Sequence, residues 1–465
     1  MKSLLLTIGL FSSYLGVTHC NADTYTTEAT KKDGQQSASK PNILLICVDD
    51  LRTELPSFGK EYIHAPEMEK LFSKSRLFKR HYVQAPTCGA SRFALLTGIY
   101  PTTKEQLKNT ALTQHDHTAQ PSFPAWFQSH GYTTVSVGKV SHYPGGLSGK
   151  KWADKNKPEI PNAWSYHVDP SGEWKNAQAL MHGYDRGKPR KHKKSPLVEA
   201  IPDVRYPDDA IMDAFNVEFD KLAKQDKPWL LAVGLLRPHL PFACEQEFLD
   251  LYKDKTIPNY SSPKPAANEM WHKSGEFFGQ YAMPSDPRKN NAFADVVRKH
   301  YAACVSSSDR HIGNILKKLK DAGLGENTVI VLWGDHGWHL GEQQIWGKHV
   351  LYEVALHSPL SIKTPAMKQP GTATDNVVET VDIYPTLCAL ADLPTPAHLQ
   401  GKDLKLLLND PKADSKNLAI SYWDGKRSEI TPNTHKIIDL KSGKVTQEYN
   451  LIKDWKELNN LKSSN

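Results

Sequence analysis

Several short segments hold residue types that could bind a metal ion or an anion, or act as nucleophile, acid or base. Asp49-Asp50 and Gly334-Asp335-His336-Gly337 offer three carboxylates and one imidazole. Hard oxygens of that kind suit Ca²⁺, with Mg²⁺ as the alternative, better than an all-histidine or thiolate set would. Cys88 opens the run Cys88-Gly89-Ala90-Ser91-Arg92-Phe93-Ala94-Leu95-Leu96-Thr97-Gly98, which has helical spacing and ends in glycine. That puts Cys88 at a helix N-terminus, where free N–H groups and the helix dipole favour an anion. Gly138-Lys139 with His142, Arg237-Pro238-His239 and Trp346-Gly347-Lys348-His349 add cations and imidazoles. Taken singly, each has a plainer explanation. Cys88 would be a buried structural cysteine, Asp49-Asp50 a helix cap and Asp335-His336 a turn. Lys139 and Lys348 would be solvated lysines, and His142 and His239 satisfied loop histidines.

The elements that must position these residues argue against coincidence. Asn42 to Val48, Thr133 to Val137, Trp229 to Gly234 and Thr328 to Trp333 are near-continuous apolar runs. They read as buried strands. Between them lie the amphipathic stretches Asp209 to Leu222, Tyr301 to Leu319 and Thr380 to Ala391. The alternation predicts an α/β fold, a large mostly parallel sheet with helices on both faces. Each strand runs directly into polar residues: Asp49-Asp50, Lys139 and His142, Arg237 and His239, Asp335-His336. Open α/β sheets place their ligand sites just past such carboxyl ends.

Domain boundaries follow from composition. Residues 1–22 read as a secretory signal, with Lys2 ahead of an apolar run from Leu4 to Val17, and 23–40 as a flexible polar leader. Export to the periplasm or medium is the expectation, and lipid attachment at Cys20 is disfavoured by the bulky His19. The catalytic domain is placed at 41–400, and a small C-terminal α+β subdomain at 401–465. No later run is long and apolar enough to cross a membrane. The 465 residues hold 58 Lys+Arg and 51 Asp+Glu, a balance of +7 that does not by itself suggest nucleic acid. The six cysteines lie singly, without the spacing of a disulfide scaffold or zinc finger. Two long stretches, Gly145 to Val204 and Lys253 to Pro287, resist regular assignment. The first contains the basic run Arg186 to Lys194, either a solvated loop or a rim contact for a polyanionic chain.

The segment from Cys88 to Gly98 matches the pattern C-x-A/P-S-R-x-x-x-L-T-G and so resembles the formylglycine-dependent sulfatases, of alkaline-phosphatase-like fold. The spacing of Lys139 and His142, with Arg237-Pro238-His239, is similar to iduronate-2-sulfatase-like members. The resemblance implies an enzyme hydrolysing sulfate esters, with Cys88 oxidised to formylglycine by a formylglycine-generating or anaerobic sulfatase-maturing enzyme. It also implies a divalent metal on Asp49, Asp50, Asp335, His336 and the modified residue 88. Arg92 and Lys139 would steady the formylglycine oxygens, and His142 would act as the base. His239 and Lys348 would bind the sulfate and protonate the leaving oxygen. His336 stands where many relatives carry Asn. Trp338, His339, Trp346, His349 and Arg237 are candidates for contacting a sulfated saccharide. Two other functions remain open: a formylglycine-dependent phosphonate or phosphate ester hydrolase, and a non-catalytic binder of sulfated glycans.

Overall fold

A computed structural model describes residues 40–143, 158–168, 170–415 and 417–462. The segments read from the sequence as a signal (1–22) and a leader (23–40) lie, but for Lys40, outside the described residues, as does part of the first irregular stretch. Eight strands form the central sheet: β1 (Asn42–Val48), β2 (Arg76–Tyr82), β3 (Thr133–Gly138), β4 (Tyr166–Val168), β5 (Trp229–Leu235), β6 (Thr328–Gly334), β7 (Leu360–Lys363) and β8 (Ala373–Glu379). Their order is β8-β2-β7-β6-β1-β5-β3-β4. Only β7 runs antiparallel to its neighbours, so the sheet is mostly parallel as expected.

Burial explains the apolar strands. β1, β5 and β6 are buried at every residue, because helices cover both faces. On one face pack Pro207–Leu222 and the long helix Asn291–Asp321, whose Phe215, Phe219, Tyr301 and Ile312 join one core with Leu44, Leu231 and Leu332. The other face takes Cys88–Thr97 and Ile383–Leu390, through Phe93, Leu96, Tyr384 and Leu387.

Strand register brings the polar ends together. Val48 pairs with both Gly334 and Leu235, and Gly138 pairs with Gly234. The next residues along each strand therefore emerge side by side at one edge. Gly138 (φ 72°) lets the chain turn there, and a Cβ on it would lie 2.4 Å from the Gly234 carbonyl oxygen.

The C-terminal region forms an antiparallel sheet of β9 (Ala419–Trp423), β10 (Lys426–Ile430), β11 (Thr434–Asp439) and β12 (Val445–Asn450). Its Ile430, Ile437 and Tyr449 share a cluster with Ile345, Val350, Leu351 and Tyr352. That contact places the small sheet against the segment carrying Lys348.

Candidate active site

Asp49, Asp50, Asp335 and His336 follow β1 and β6 directly and are fully buried. Ligand-capable atoms of Asp49, Asp50, Cys88 and His239 lie within 4.8 Å of one another, as do those of Cys88, Asp335 and His336. Asp50 adopts φ 57° and its amide donates to Asp335 Oδ1 at 2.8 Å, so the two acidic pairs interlock. His336 Nδ1–H donates to the Gly337 carbonyl at 3.0 Å. This tautomer leaves the Nε2 lone pair facing inward, 3.3 Å from Asp50 Oδ1 and 3.2 Å from Cys88 Sγ. Asp50 Oδ2 is buried with no hydrogen-bond partner. Burial and the nearby Asp49 carboxylate push the proton affinity of Asp335 up against the opposing pull of His336 and Arg92. Converging carboxylates, an orphaned oxygen and an inward lone pair fit a hard divalent cation.

Three cations surround the carboxylates. Arg92 donates through Nε to Asp335 Oδ2 at 3.1 Å and through Nη2 to Asp49 Oδ1 at 3.0 Å. Its Nη1 donates to the carbonyls of Lys139 and Val140. The whole fork is thereby committed to acidic residues and backbone, and Arg92 acts as a clamp on the carboxylates rather than a hand on residue 88. Lys139 pairs with Asp49 in the same way. Burial opposes ionisation of Asp49, but Lys139, His239 and Arg92 together hold it well below the ordinary carboxylate range. Lys348 is the cation that reaches position 88, with Nζ 3.1 Å from Cys88 Sγ and 2.7 Å from Asp50 Oδ1.

Cys88 begins the helix Cys88–Thr97, as its spacing predicts, and is buried. The helix end does not make it a thiolate. Burial, reinforced by Asp49, raises the thiol well above its usual range despite Lys139 and Lys348. His142 has a buried Nδ1 without a partner, and burial and Lys139 hold its proton affinity well below the ordinary histidine range. A lowered proton affinity favours the neutral ring, which the base role expected of it requires. His239 Nδ1–H donates to the Leu240 carbonyl at 2.7 Å, and Nε2 faces Glu276 Oε1 at 3.3 Å.

The saccharide-contact candidates divide. Trp338, His339, Trp346 and Arg237 are all at most 1% exposed and present no surface to a sugar. Trp338 lies beneath Lys348, Trp346 packs on Phe277, and His339 Nδ1 bonds the Gly347 carbonyl. Arg237 turns inward to the Pro241 carbonyl at 2.8 Å and to the face of Tyr184, shaping the loop that presents His239. Only His349 stays half-buried, stacked on Trp423 at 5.3 Å. Sequence reasoning missed Trp423, Glu276 and His182, whose ring lies 5.2 Å from His239. His182 also borders a cleft of about 680 Å³ lined by Trp174, Lys175, Arg190, Lys191 and His192, so part of the basic run comes close to the site. Glu276 and His182 arrive from stretches without clear periodicity, and although Asp424-Gly425 marks a hairpin turn just after Trp423, no local signal tells that its ring reaches His349.

The Sulfatase family profile matches residues 41–393, and the profile named N-sulphoglucosamine sulphohydrolase, C-terminal, matches 341–464. Iduronate 2-sulfatase of Mus musculus is 31% identical over 401 residues, 78% of this chain and 71% of the relative. A ulvan-active sulfatase of Formosa agariphila is 27% identical, over 83% of this chain and 69% of its own. Two solved structures, each 21% identical, share the fold. Phosphonate monoester hydrolase of Agrobacterium radiobacter has a TM-score of 0.74, covering 91% of both chains. A chain in complex with its substrate D-glucosamine-2-N,6-O-disulfate has a TM-score of 0.68, covering 91% of this chain and 93% of that one. With a family profile spanning the central sheet and every charged group of the site, the chain belongs to the sulfatase family, the sulfuric ester hydrolases.

Proposed function

We propose that this sulfatase is exported and removes sulfate from saccharides, using a formylglycine made from Cys88 and a hard divalent cation. The observation that carries this reading is the setting of Cys88. Its sulfur touches His336 Nε2, Lys348 Nζ and, at 4.0 Å, Asp50 Oδ1, while burial and Asp49 deny it thiolate character. A thiol so placed is a poor nucleophile, and an oxygen in its place is well served. Hydrated formylglycine supplies that nucleophilic oxygen. Asp49, Asp50, Asp335 and His336 would hold the cation, Ca²⁺ before Mg²⁺, which supplies Lewis-acid polarisation and charge neutralisation when bound.

The chain's own residues then divide the work. Arg92 and Lys139 keep Asp49 ionised, and Arg92 fixes Asp49 and Asp335 in place. Lys348 and His239 bind the sulfuryl oxygens, where negative charge spreads in the transition state. His239 donates the proton that a sugar alkoxide needs to leave, and neutral His142 accepts one from residue 88. Saccharide specificity is supported by the similarity to iduronate 2-sulfatase and the ulvan-active sulfatase. The His349–Trp423 stack and the basic cleft beside His182 supply a surface for a sugar and its further anions. Export is supported by the apolar run Leu4 to Val17 behind Lys2, and no helix among the described residues could cross a membrane.

The test is desulfation of a panel of sulfated oligosaccharides, with products assigned by position. One class of sugar sulfate should be turned over faster than any aryl sulfate. Aryl sulfates outrunning every saccharide would refute the carbohydrate reading.

A further inference from the structure

Glu276 reaches the catalytic centre from a stretch without any recognisable motif. Its Oε1 lies 3.3 Å from His239 Nε2 and its Oε2 3.9 Å from Lys348 Nζ. These are the side chains assigned above to the sulfuryl oxygens, and the role of Glu276 rests on that reading. The placement is built into the packing. Ser274 Oγ accepts from the Trp346 amide at 3.2 Å, and buried Phe277 packs on the Trp346 ring with centroids 5.5 Å apart. Residues 274–277 are thus tied to the short strand that delivers Lys348. The Glu276 side chain is 24% exposed, so a ligand can meet it.

We propose that Glu276 is a charge filter, a carboxylate beside the anion-binding pair that favours singly charged esters over doubly charged ones. A sulfate monoester carries one negative charge, whereas a phosphate monoester, with its second pKa near 6, carries almost two above pH 7. The energy of an anion in a fixed field scales with its charge, so the repulsion from Glu276 counts twice against the dianion. Repulsion built against the wrong ligand is a general route to specificity. The same filter acts on the product. Hydrolysis of ROSO₃⁻ by water yields ROH, SO₄²⁻ and a proton, and Glu276 loosens the grip of Lys348 and His239 on the sulfate dianion.

The experiment compares the wild type with Glu276→Gln and Glu276→Asp on three 4-nitrophenyl esters at pH 8. The sulfate is a monoanion, the phosphate a dianion, and the phenylphosphonate a monoanion shaped like the phosphate. Since the leaving group is common, any change in the proton that His239 gives to it moves all three together, and only their ratios report the charge of the bound anion. Glu276→Gln should raise kcat/KM for phosphate relative to phosphonate by roughly ten- to hundredfold. The inhibition constant for inorganic sulfate should fall in the same variant. Glu276→Asp, which keeps the charge, should stay close to the wild-type ratio and shows that the position tolerates change. Phosphate and phosphonate shifting in parallel, with sulfate inhibition unchanged, would overturn the filter while leaving the sulfatase reading intact. A wild type inactive on every sulfate ester and not inhibited by sulfate would overturn the reading beneath it.

Discussion

Arg92 Nη2 lies 3.0 Å from Asp335 Oδ2, and the same nitrogen lies 3.0 Å from Asp49 Oδ1. One guanidinium therefore ties the end of β1 to the end of β6, in a region with no exposed surface. Lysine keeps the charge but cannot span both carboxylates and two carbonyls. Arg92→Lys should destabilise the fold by about 1–3 kcal/mol, the scale for leaving a buried acceptor without its hydrogen-bond partner. Denaturant unfolding measures this, and an unchanged midpoint would contradict the clamp.

Metal removal should abolish turnover. Without a cation, the buried Asp50 Oδ2 has no hydrogen-bond partner and Asp335 is left with the raised proton affinity that burial gives it. Exhaustive chelation should give an inactive protein, and Ca²⁺ should restore activity at least as well as Zn²⁺. Asp50→Asn should lower metal content as well as rate. Full activity in a protein shown to be metal-free would refute the cation site.

His239→Ala should separate substrates by leaving group. A sugar alkoxide leaves badly without a proton, so turnover of a sugar sulfate should fall by roughly 10²- to 10⁴-fold. An activated aryl sulfate, whose phenolate leaves unaided, should lose far less. Equal losses on both would show that His239 serves binding alone.

Acid stability should be limited by buried neutral histidines, and His81 is the clearest. Its Nδ1–H donates to the Ser358 carbonyl at 3.0 Å, and Nε2 accepts from Thr380 Oγ1 at 2.9 Å. Burial pushes His81 from 6.5 down to about 3. Between those values the unfolded chain binds a proton that the fold refuses. Stability therefore falls as the solution is acidified below pH 6.5, by up to about 1.4 kcal/mol per pH unit for this one group. Above that range His81 contributes no slope. His81→Gln should flatten the dependence of the unfolding midpoint on pH between 6.5 and 4, whatever its effect at pH 8. Identical slopes would contradict this.

The strands that carry the site were legible because helices cover both sheet faces, leaving unbroken apolar runs such as Asn42–Val48. β2 was not legible. Its Arg76 is buried, yet its guanidinium donates to the Leu407 and Leu408 carbonyls, and no local pattern announces partners more than 300 positions away. The helix expected from Tyr301 begins at Asn291, since its first turns are partly exposed and their polar residues hid the periodicity. The charged cluster was legible as residue types at strand ends. The aromatic contacts were not. Trp338, His339 and Trp346 neighbour site residues in sequence, but packing decides which way each side chain faces, and all three face the core. Glu276 lies in the short helix Gly275–Gln280 and Trp423 in a hairpin strand paired with Lys426, and in both cases long-range packing is what brings the side chain to the site.

The central claim is that residue 88 works as formylglycine and not as cysteine. Ala90 stands where the matched pattern takes Ala or Pro, and the resemblance associates Ala there with an anaerobic, radical-type maturase, so we expect conversion in an unrelated host to be partial. Peptide mass spectrometry across Cys88, run on preparations of graded conversion beside their sulfatase rates, tests this directly. The rate should rise in proportion to the fraction present as aldehyde or hydrate, and Cys88→Ala should have none. Fully active enzyme carrying only the unmodified thiol at position 88 would contradict the account.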